Sequence, residues 1–256
     1  MKIIVAVKQV PVRDSSIHVD ASGKWLDEQD LSFEINEPDA YALEAALLLK
    51  EQNGGEIIVL CAGPERAAQT IREALAKGAD RAIHIEADDL IQLDTLALAR
   101  LLSEAVASEK ADLILTGLQS DDLGLGQTGV VMAEMLGVPH ATIVMEVEKT
   151  SGGIRVKREL EEGWFQWVEM PLPALLTIQS GISKLRYATL MGIKKAKTKE
   201  IRRVEPAGPG RTAESTVVLE RVYLPQKKKE TRMIAGSPGE AAAALADVLK
   251  FEVRVL

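Results

Sequence analysis

Apolar runs of four to six residues alternate with segments of helical period through the first two thirds of the chain. Ile3–Val7, Ile57–Cys61, Ala82–Ile85 and Leu113–Leu115 with its flanks read as strands, being short and rich in Ile, Val and Leu. Between them, Tyr41–Lys50, Glu65–Ala76 and Asp94–Ala107 carry strong helix formers with apolar positions three and four apart. Strands that are apolar on both faces must be covered on both faces, so the pattern predicts an α/β fold with an open, mostly parallel, doubly wound sheet. Asn36 is placed to cap a helix, with Pro38 in its first turn and Asp39 favoured there by the helix dipole. Residues 15–32 interrupt the alternation around Ala21-Ser22-Gly23 and read as a hairpin or an ordered excursion over the sheet edge.

The pattern changes after residue 140. Ile143–Val147, Ile154–Arg158, Trp164–Val168 and Ala174–Ile178 are strand-like, and the connections at 151–153, 161–163 and 171–173 are short enough to favour antiparallel pairing. From about residue 184 the core signal fades. Residues 198–236 are long and polar and read as an extended arm, and Ser237-Pro238-Gly239-Glu240 is a capped start for a helix ending at Lys250. The expected organisation is an α/β domain over 1–183 and a loop, arm and terminal helix over 184–256.

Composition narrows the function. The chain has 256 residues, 46% hydrophobic and 27% charged, a globular balance with no apolar run long enough to span a bilayer, so no integral membrane protein is expected. A single cysteine, Cys61, excludes a disulfide framework, and three scattered histidines argue against a zinc site, so no metal is expected. The opening residues fit a buried strand better than a signal peptide, which favours a cytoplasmic location. Nine aromatic residues are too few to wall a large cofactor without help from a partner. The net charge of −7 weighs against a nucleic-acid platform. It is unevenly spread. Between Lys184 and Arg203, eight basic residues face one acid, a local +7 that leaves −14 for the remainder. Within that basic stretch, Tyr187–Ile193 forms an apolar island that can present Leu190 and Met191, a combination suited to steering and anchoring a protein partner; the alternatives are a solvated basic arm with the island buried, and nucleic-acid binding, for which interleaved aromatics are nearly absent.

The loop Gly117-Leu118-Gln119-Ser120-Asp121-Asp122-Leu123-Gly124-Leu125-Gly126-Gln127-Thr128-Gly129 ends in a formal GxGxxG. It follows the fourth strand across a polar loop, not the first strand directly, so it is no dinucleotide fingerprint. Its physics remains: glycines let a ligand approach the backbone, and a helix N-terminus attracts phosphate. The alternative is a glycine-rich loop ordered by its own Asp121 and Asp122. Lys8–Pro11, Asn36–Asp39 and Ala62–Pro64 fall at the same sheet edge, where open α/β sheets form their crevice, and a nucleotide suits it. No GxSxG elbow, HExxH pair or Walker lysine loop is present, so the chain does not read as an enzyme.

Several segments together resemble the beta subunit of electron-transfer flavoprotein: Ile4–Pro11, Glu73–Asp80, the loop at 117–129, and Arg186–Leu190 followed by lysines. The run from Val156 to Thr177 is similar to the family signature through Arg158, Glu161-Glu162-Gly163, Gln166, Val168, Pro173 and Leu175-Leu176-Thr177. The resemblance implies a Rossmann-like, adenine-nucleotide-binding fold and a heterodimer with an alpha subunit that holds most of an FAD. It implies AMP in this chain's own crevice, lined by Ala6, Asn36, Glu37, Pro38, Asp39, Ala62 and the loop from Leu118 to Gly129. It also implies docking of flavin dehydrogenases through Tyr187, Leu190 and Met191, and delivery of electrons to a quinone-linked oxidoreductase. Many relatives have a basic residue at Leu118 and an aspartate at Gly124, and some place aromatics at Arg13 and Pro38. Two alternatives are an electron-bifurcating form with a second FAD replacing AMP, and a stand-alone universal-stress-type nucleotide module.

Overall fold

The computed structural model describes residues 1–88, 90, 93–205, 215–225 and 231–255. The chain forms two compact units, Met1–Val222 and Tyr223–Leu256. In the first, β1 (Lys2–Ala6) is followed by a small antiparallel pair, β2 (Gln9–Pro11) and β3 (Phe33–Ile35), and then by α1 (Glu37–Asn53). Next come β4 (Glu56–Gly63), a 3-10 turn leading into α2 (Ala68–Lys77), β5 (Arg81–Glu86), α3 (Thr95–Glu109) and β6 (Leu113–Gly117). The sequence then runs through α4 (Thr128–Leu136), β7 (His140–Lys149), β8 (Ile154–Glu159), β9 (Phe165–Met170), β10 (Ala174–Ile178), α5 (Leu190–Ala196) and β11 (Ile201–Val204).

One nine-stranded sheet carries the fold, in the order β11-β5-β4-β1-β6-β10-β7-β8-β9. It is parallel except where β8 pairs with β7 and β9. Alternate residues of each strand serve opposite faces, as the pleat requires. Ile3 and Val5 of β1 join Leu43 of α1 and Ile71 of α2, whereas Ile4 joins Leu102 of α3 and Met132 of α4. This is the open, doubly wound α/β architecture expected from the apolar runs.

Two expectations fail. The run Ala174–Ile178 is not a hairpin partner of the strand before it: it inserts between β6 and β7, parallel to both. Its five side chains are all buried, and a slot between two parallel strands covers both faces of such a run, which an edge position cannot do. Nor does the core end near residue 184. Ala196 is buried, Gly192 of α5 packs against the backbone carbonyl of Ala76, and Ile201–Val204 extends the sheet by pairing with β5. Only two of those four strand residues are apolar, the pattern of an edge strand.

Residues 15–32 form a hairpin with an antiparallel bridge between Val19 and Leu26 and a turn at Gly23 (φ 68°). Of the expected arm at 198–236, residues 206–214 and 226–230 lie outside the described residues. The second unit contains α6 (Pro238–Asp247), which continues as a π-helical turn to Val253. Its start is a capping box in which Ser237 accepts from the Glu240 amide and the Glu240 carboxylate accepts from the Ser237 amide. Among the described residues no helix is long and apolar enough to cross a membrane, and no group of three His, Cys, Asp or Glu is arranged to hold a metal ion.

Candidate functional site

β1 lies at the switch point of the sheet: the chain winds outward through β4 and β5, then returns to place β6 on the other side of β1. A crevice at the carboxyl ends of β1 and β6 is the consequence of that reversal. Here it is a cavity of about 590 Å³. Ala6, Asn36, Asp39, Ala62, Leu118, Gln119, Ser120, Asp122, Leu123 and Leu125–Gly129 line it, together with Lys8, Trp25, Phe33, Arg66 and Leu98. Glu37, Pro38, Asp121 and Gly124 are not among its lining residues.

Asp39 holds the crevice floor together. One carboxylate oxygen accepts from the Lys8 amide just beyond β1, and the other from the Gly117 amide at the end of β6, both at 2.8 Å. Burial pushes this carboxyl up to about 7, opposed by those two amides, the Asn36 side chain and the Lys8 ammonium. With both oxygens engaged, Asp39 positions the strand ends. Asn36 occupies the cap position of α1, but its side chain does not cap the helix. Its Nδ2 donates to the Gln119 carbonyl at 3.0 Å and its Oδ1 accepts from the Asp121 amide at 2.8 Å, pinning the 119–121 loop to α1.

The two loop aspartates are likewise engaged in ordering. Lys8 Nζ donates to Asp122 at 2.7 Å, and Asp122 also accepts from the Leu123 amide at 2.7 Å. Burial works to raise the Asp122 carboxyl, but Lys8 and the hydrogen bonds prevail and hold it below the ordinary range. Asp121 accepts from Arg13 at 3.3 Å and from the Glu37 amide at 3.3 Å.

What the loop leaves open is its backbone. Gln127 stands at the N-cap of α4 without a capping hydrogen bond. The amides of Leu125, Gly126, Gln127, Thr128, Gly129 and Val130 donate to no acceptor among the described residues. Gly124 and Gly126 adopt left-handed backbone (φ 63° and 65°), a conformation that L side chains resist, in the turn that leads to these donors. Gly129 seats the helix itself: a β-carbon there would stand 2.7 Å from both Thr116 Oγ1 and Thr177 Cγ2. The result is an uncapped helix N-terminus whose free N–H groups and positive dipole end suit an anionic ligand.

One wall has no sequence signature. Arg66 lies 3.8 Å over the Phe33 ring, donates to Glu28 at 2.7 and 2.8 Å, and is also bound by the Gln9 side chain. These residues are distant in sequence and only the fold brings them together. Cys61, beneath the crevice, is fully buried, and burial pushes its thiol up to about 12, so it packs as a small apolar side chain. His84 is buried with Nε2 3.1 Å from the Gly63 carbonyl, while Nδ1 makes no hydrogen bond.

The basic segment is partly neutralised. Arg186 pairs with Glu44 and Glu51, Arg202 with Glu109 and Arg203 with Glu86. Lys184, Lys194, Lys195 and Lys197 are exposed and form no ion pair among the described residues. Beside them Tyr187, Leu190 and Met191 are 91%, 88% and 63% exposed, far more than apolar side chains need to be on a helix seven residues long.

Fold and crevice together define an open, doubly wound Rossmann-like α/β protein. A family model, the electron transfer flavoprotein domain, matches residues 24–209. The chain is 38% identical to the electron transfer flavoprotein subunit beta of Methylophilus methylotrophus, over 97% of this chain and 98% of that protein. It is 32% identical to the subunit beta of Bacillus subtilis over all of both chains, and 35% identical to that of Syntrophomonas wolfei over 100% and 98%. The chain belongs to the electron-transfer flavoprotein family, as a beta subunit, and its role is electron transfer. The names of its relatives describe an electron carrier.

Proposed function

We infer that this chain is the beta subunit of a cytoplasmic heterodimer whose alpha subunit holds most of an FAD. In this reading the beta subunit keeps an AMP in its own crevice, covers one side of the FAD site and docks the flavin dehydrogenases that deliver electrons. The electrons pass on to a quinone-linked oxidoreductase. The observation that carries the nucleotide part is the row of unengaged amides from Leu125 to Gly129, residues that line a cavity of nucleotide size beside an uncapped helix N-terminus.

The AMP phosphate is assigned to those amides, and the base and ribose to the space between Ala6, Ala62 and Gln127. Small side chains at Ala6 and Ala62 leave room for a flat ring over the strand ends. Asn36 and Asp39 act one step back: they hold the strands and the loop in the geometry the ligand needs, since their polar atoms are already committed. The flavin, when bound, supplies the redox chemistry. This chain's aromatic-poor composition fits a subunit that contributes only one side of such a site.

Docking is assigned to Tyr187, Leu190 and Met191 within the unpaired lysines. Charge accelerates encounter, and an exposed apolar anchor then supplies the short-range affinity. Replacing Leu190 by alanine is expected to slow electron transfer from a cognate dehydrogenase at least tenfold. Bound FAD and unfolding midpoint should not change, because an exposed side chain contributes within about 0.5 kcal/mol to stability. Stopped-flow reduction of the heterodimer checks this, and an unchanged rate would remove Leu190 from the docking surface.

A further inference from the structure

One wall of the crevice is formed by the hairpin within residues 15–32. Asp20, Trp25, Leu26, Asp27 and Glu28 of the hairpin line the cavity, yet residues 18–28 pair with no strand of the nine-stranded sheet and none of them is buried. The hairpin's own bonds, Asp20 amide to Trp25 carbonyl at 2.8 Å and Asp27 amide to His18 carbonyl at 2.9 Å, give it shape without anchoring it. A segment with no buried side chain opens at little cost unless polar ties hold it.

Polar ties hold it at its base and at its tip. At its base, Glu28 is gripped by Arg66, which rests on Phe33. At its tip, the Gly23 carbonyl accepts from the Val222 amide at 2.9 Å. Val222 ends a stretch that begins at Ser215 on the opposite wall. There Asp94, the N-cap of α3, gathers four bonds: its amide donates to Ser215 Oγ at 2.9 Å, and its Oδ2 accepts from the Thr216 amide at 2.6 Å, Thr216 Oγ1 at 2.8 Å and the Val217 amide at 3.0 Å. Leu93, Thr95 and Leu98, around Asp94, line the same cavity. Residues 215–222 therefore tie one wall of the crevice to the tip of the other.

We propose that the hairpin at 18–28 is a lid on the nucleotide crevice, latched by Arg66 and Glu28, and that residues 215–222 are a strap controlling how fast the nucleotide exchanges. The proposal rests on the reading of the cavity as a nucleotide site. Its physical content is that the lid's closed state depends on a few charge-assisted hydrogen bonds and not on apolar burial. Breaking either tie shifts a pre-existing open–closed equilibrium without disturbing the amides that would hold the phosphate.

The test uses the full heterodimer and two variants. Asp94→Asn keeps the helix cap, since Oδ1 still accepts from the Ala97 amide and asparagine caps as well as aspartate, but it sets an NH2 group against the Thr216 and Val217 donors. Glu28→Gln removes the charge that Arg66 grips. Each is expected to speed release of bound AMP, followed by chase of labelled AMP with excess unlabelled AMP. The gain should be roughly tenfold or more, the worth of one or two charge-assisted bonds. Each should also raise hydrogen exchange at residues 18–28. Unchanged exchange at 18–28 in both variants overturns the latch and strap. Faster exchange there with an unchanged AMP release rate overturns the gate. A wild-type heterodimer that carries no AMP overturns the nucleotide reading itself, and the hydrogen-exchange comparison still decides whether the ties hold the hairpin.

Discussion

Replacing Gly117 by alanine is expected to destabilise the protein by about 3 kcal/mol and to empty the crevice, the upper range for forcing atoms into a packed site. The new β-carbon would overlap Asp39 Oδ1, and would stand 2.7 Å from Pro38 Cβ and 2.8 Å from the Asp39 amide. Two of these are parts of the first turn of α1, not the far ends of flexible chains, so the helix start must move. Asn36 and Asp39 would move with it, and the loop at 119–121 and the junction of β1 with β6 depend on those two side chains. Denaturant unfolding and nucleotide content of the purified heterodimer measure both effects. A variant with wild-type stability and full nucleotide content would show that the contact of α1 with β6 is not what shapes the crevice.

The second large effect is expected at Asp39. Alanine there deprives the buried Gly117 amide and the partly buried Lys8 amide of the acceptor each has among the described residues, at a cost of about 1–3 kcal/mol for a buried group left unsatisfied. The loss should vary with pH. Burial raises this carboxyl to about 7 in the folded protein, against about 3.9 in an unfolded chain. Between those values the native state holds a proton that the unfolded state has released, so stability from Asp39 is full below about pH 4 and declines as pH rises to about 7. The stability gap between wild type and Asp39→Ala should therefore narrow across that interval, by at most about 1.4 kcal/mol per pH unit. A gap that widened with pH would mean that the two amide donors outweigh burial and that the ionised form is the native one.

How much of this was legible in the sequence follows from which interactions are local. The parallel strands β1, β4, β5 and β6 announce themselves, because burial on both faces demands continuous apolar runs, and the helices between them keep a clean period, whereas the short pair Gln9–Pro11 and Phe33–Ile35 carries no such run. The crevice was legible as well, since the carboxyl ends of parallel strands converge by topology and the loop at 117–129 carries the glycines its turn needs. The direction of Ala174–Ile178 was not, because a three-residue connection at 171–173 looks the same whether it closes a hairpin or carries the chain across the sheet. Nor was Ile201–Val204, whose Arg202 and Arg203 hide an edge strand inside a basic stretch. At the site, residue types were readable but their duties were not. Asn36 looks like a helix cap and instead braces a loop 83 residues away; Asp39 looks like a dipole partner and instead joins two strand ends. The Arg66, Glu28 and Phe33 wall had no local signal of any kind, as its members meet only through the fold.

The charge asymmetry has also acquired a shape. Of the eight basic residues between Lys184 and Arg203, the three arginines pair with acids of the α/β unit, and four lysines stay exposed and form no ion pair among the described residues, as the proposed docking role requires. Exposed unpaired charges of this sort are screened within about 8 Å at physiological salt, so association with a dehydrogenase should weaken as ionic strength rises.

In the proposed function this beta subunit holds AMP in the crevice at the ends of β1 and β6 while its partner carries the flavin. The direct measurement is to purify the heterodimer, denature it, and quantify the released nucleotides by chromatography and mass spectrometry. One equivalent each of AMP and FAD per heterodimer is expected. Two equivalents of FAD with no AMP, or FAD alone at one equivalent, would contradict it.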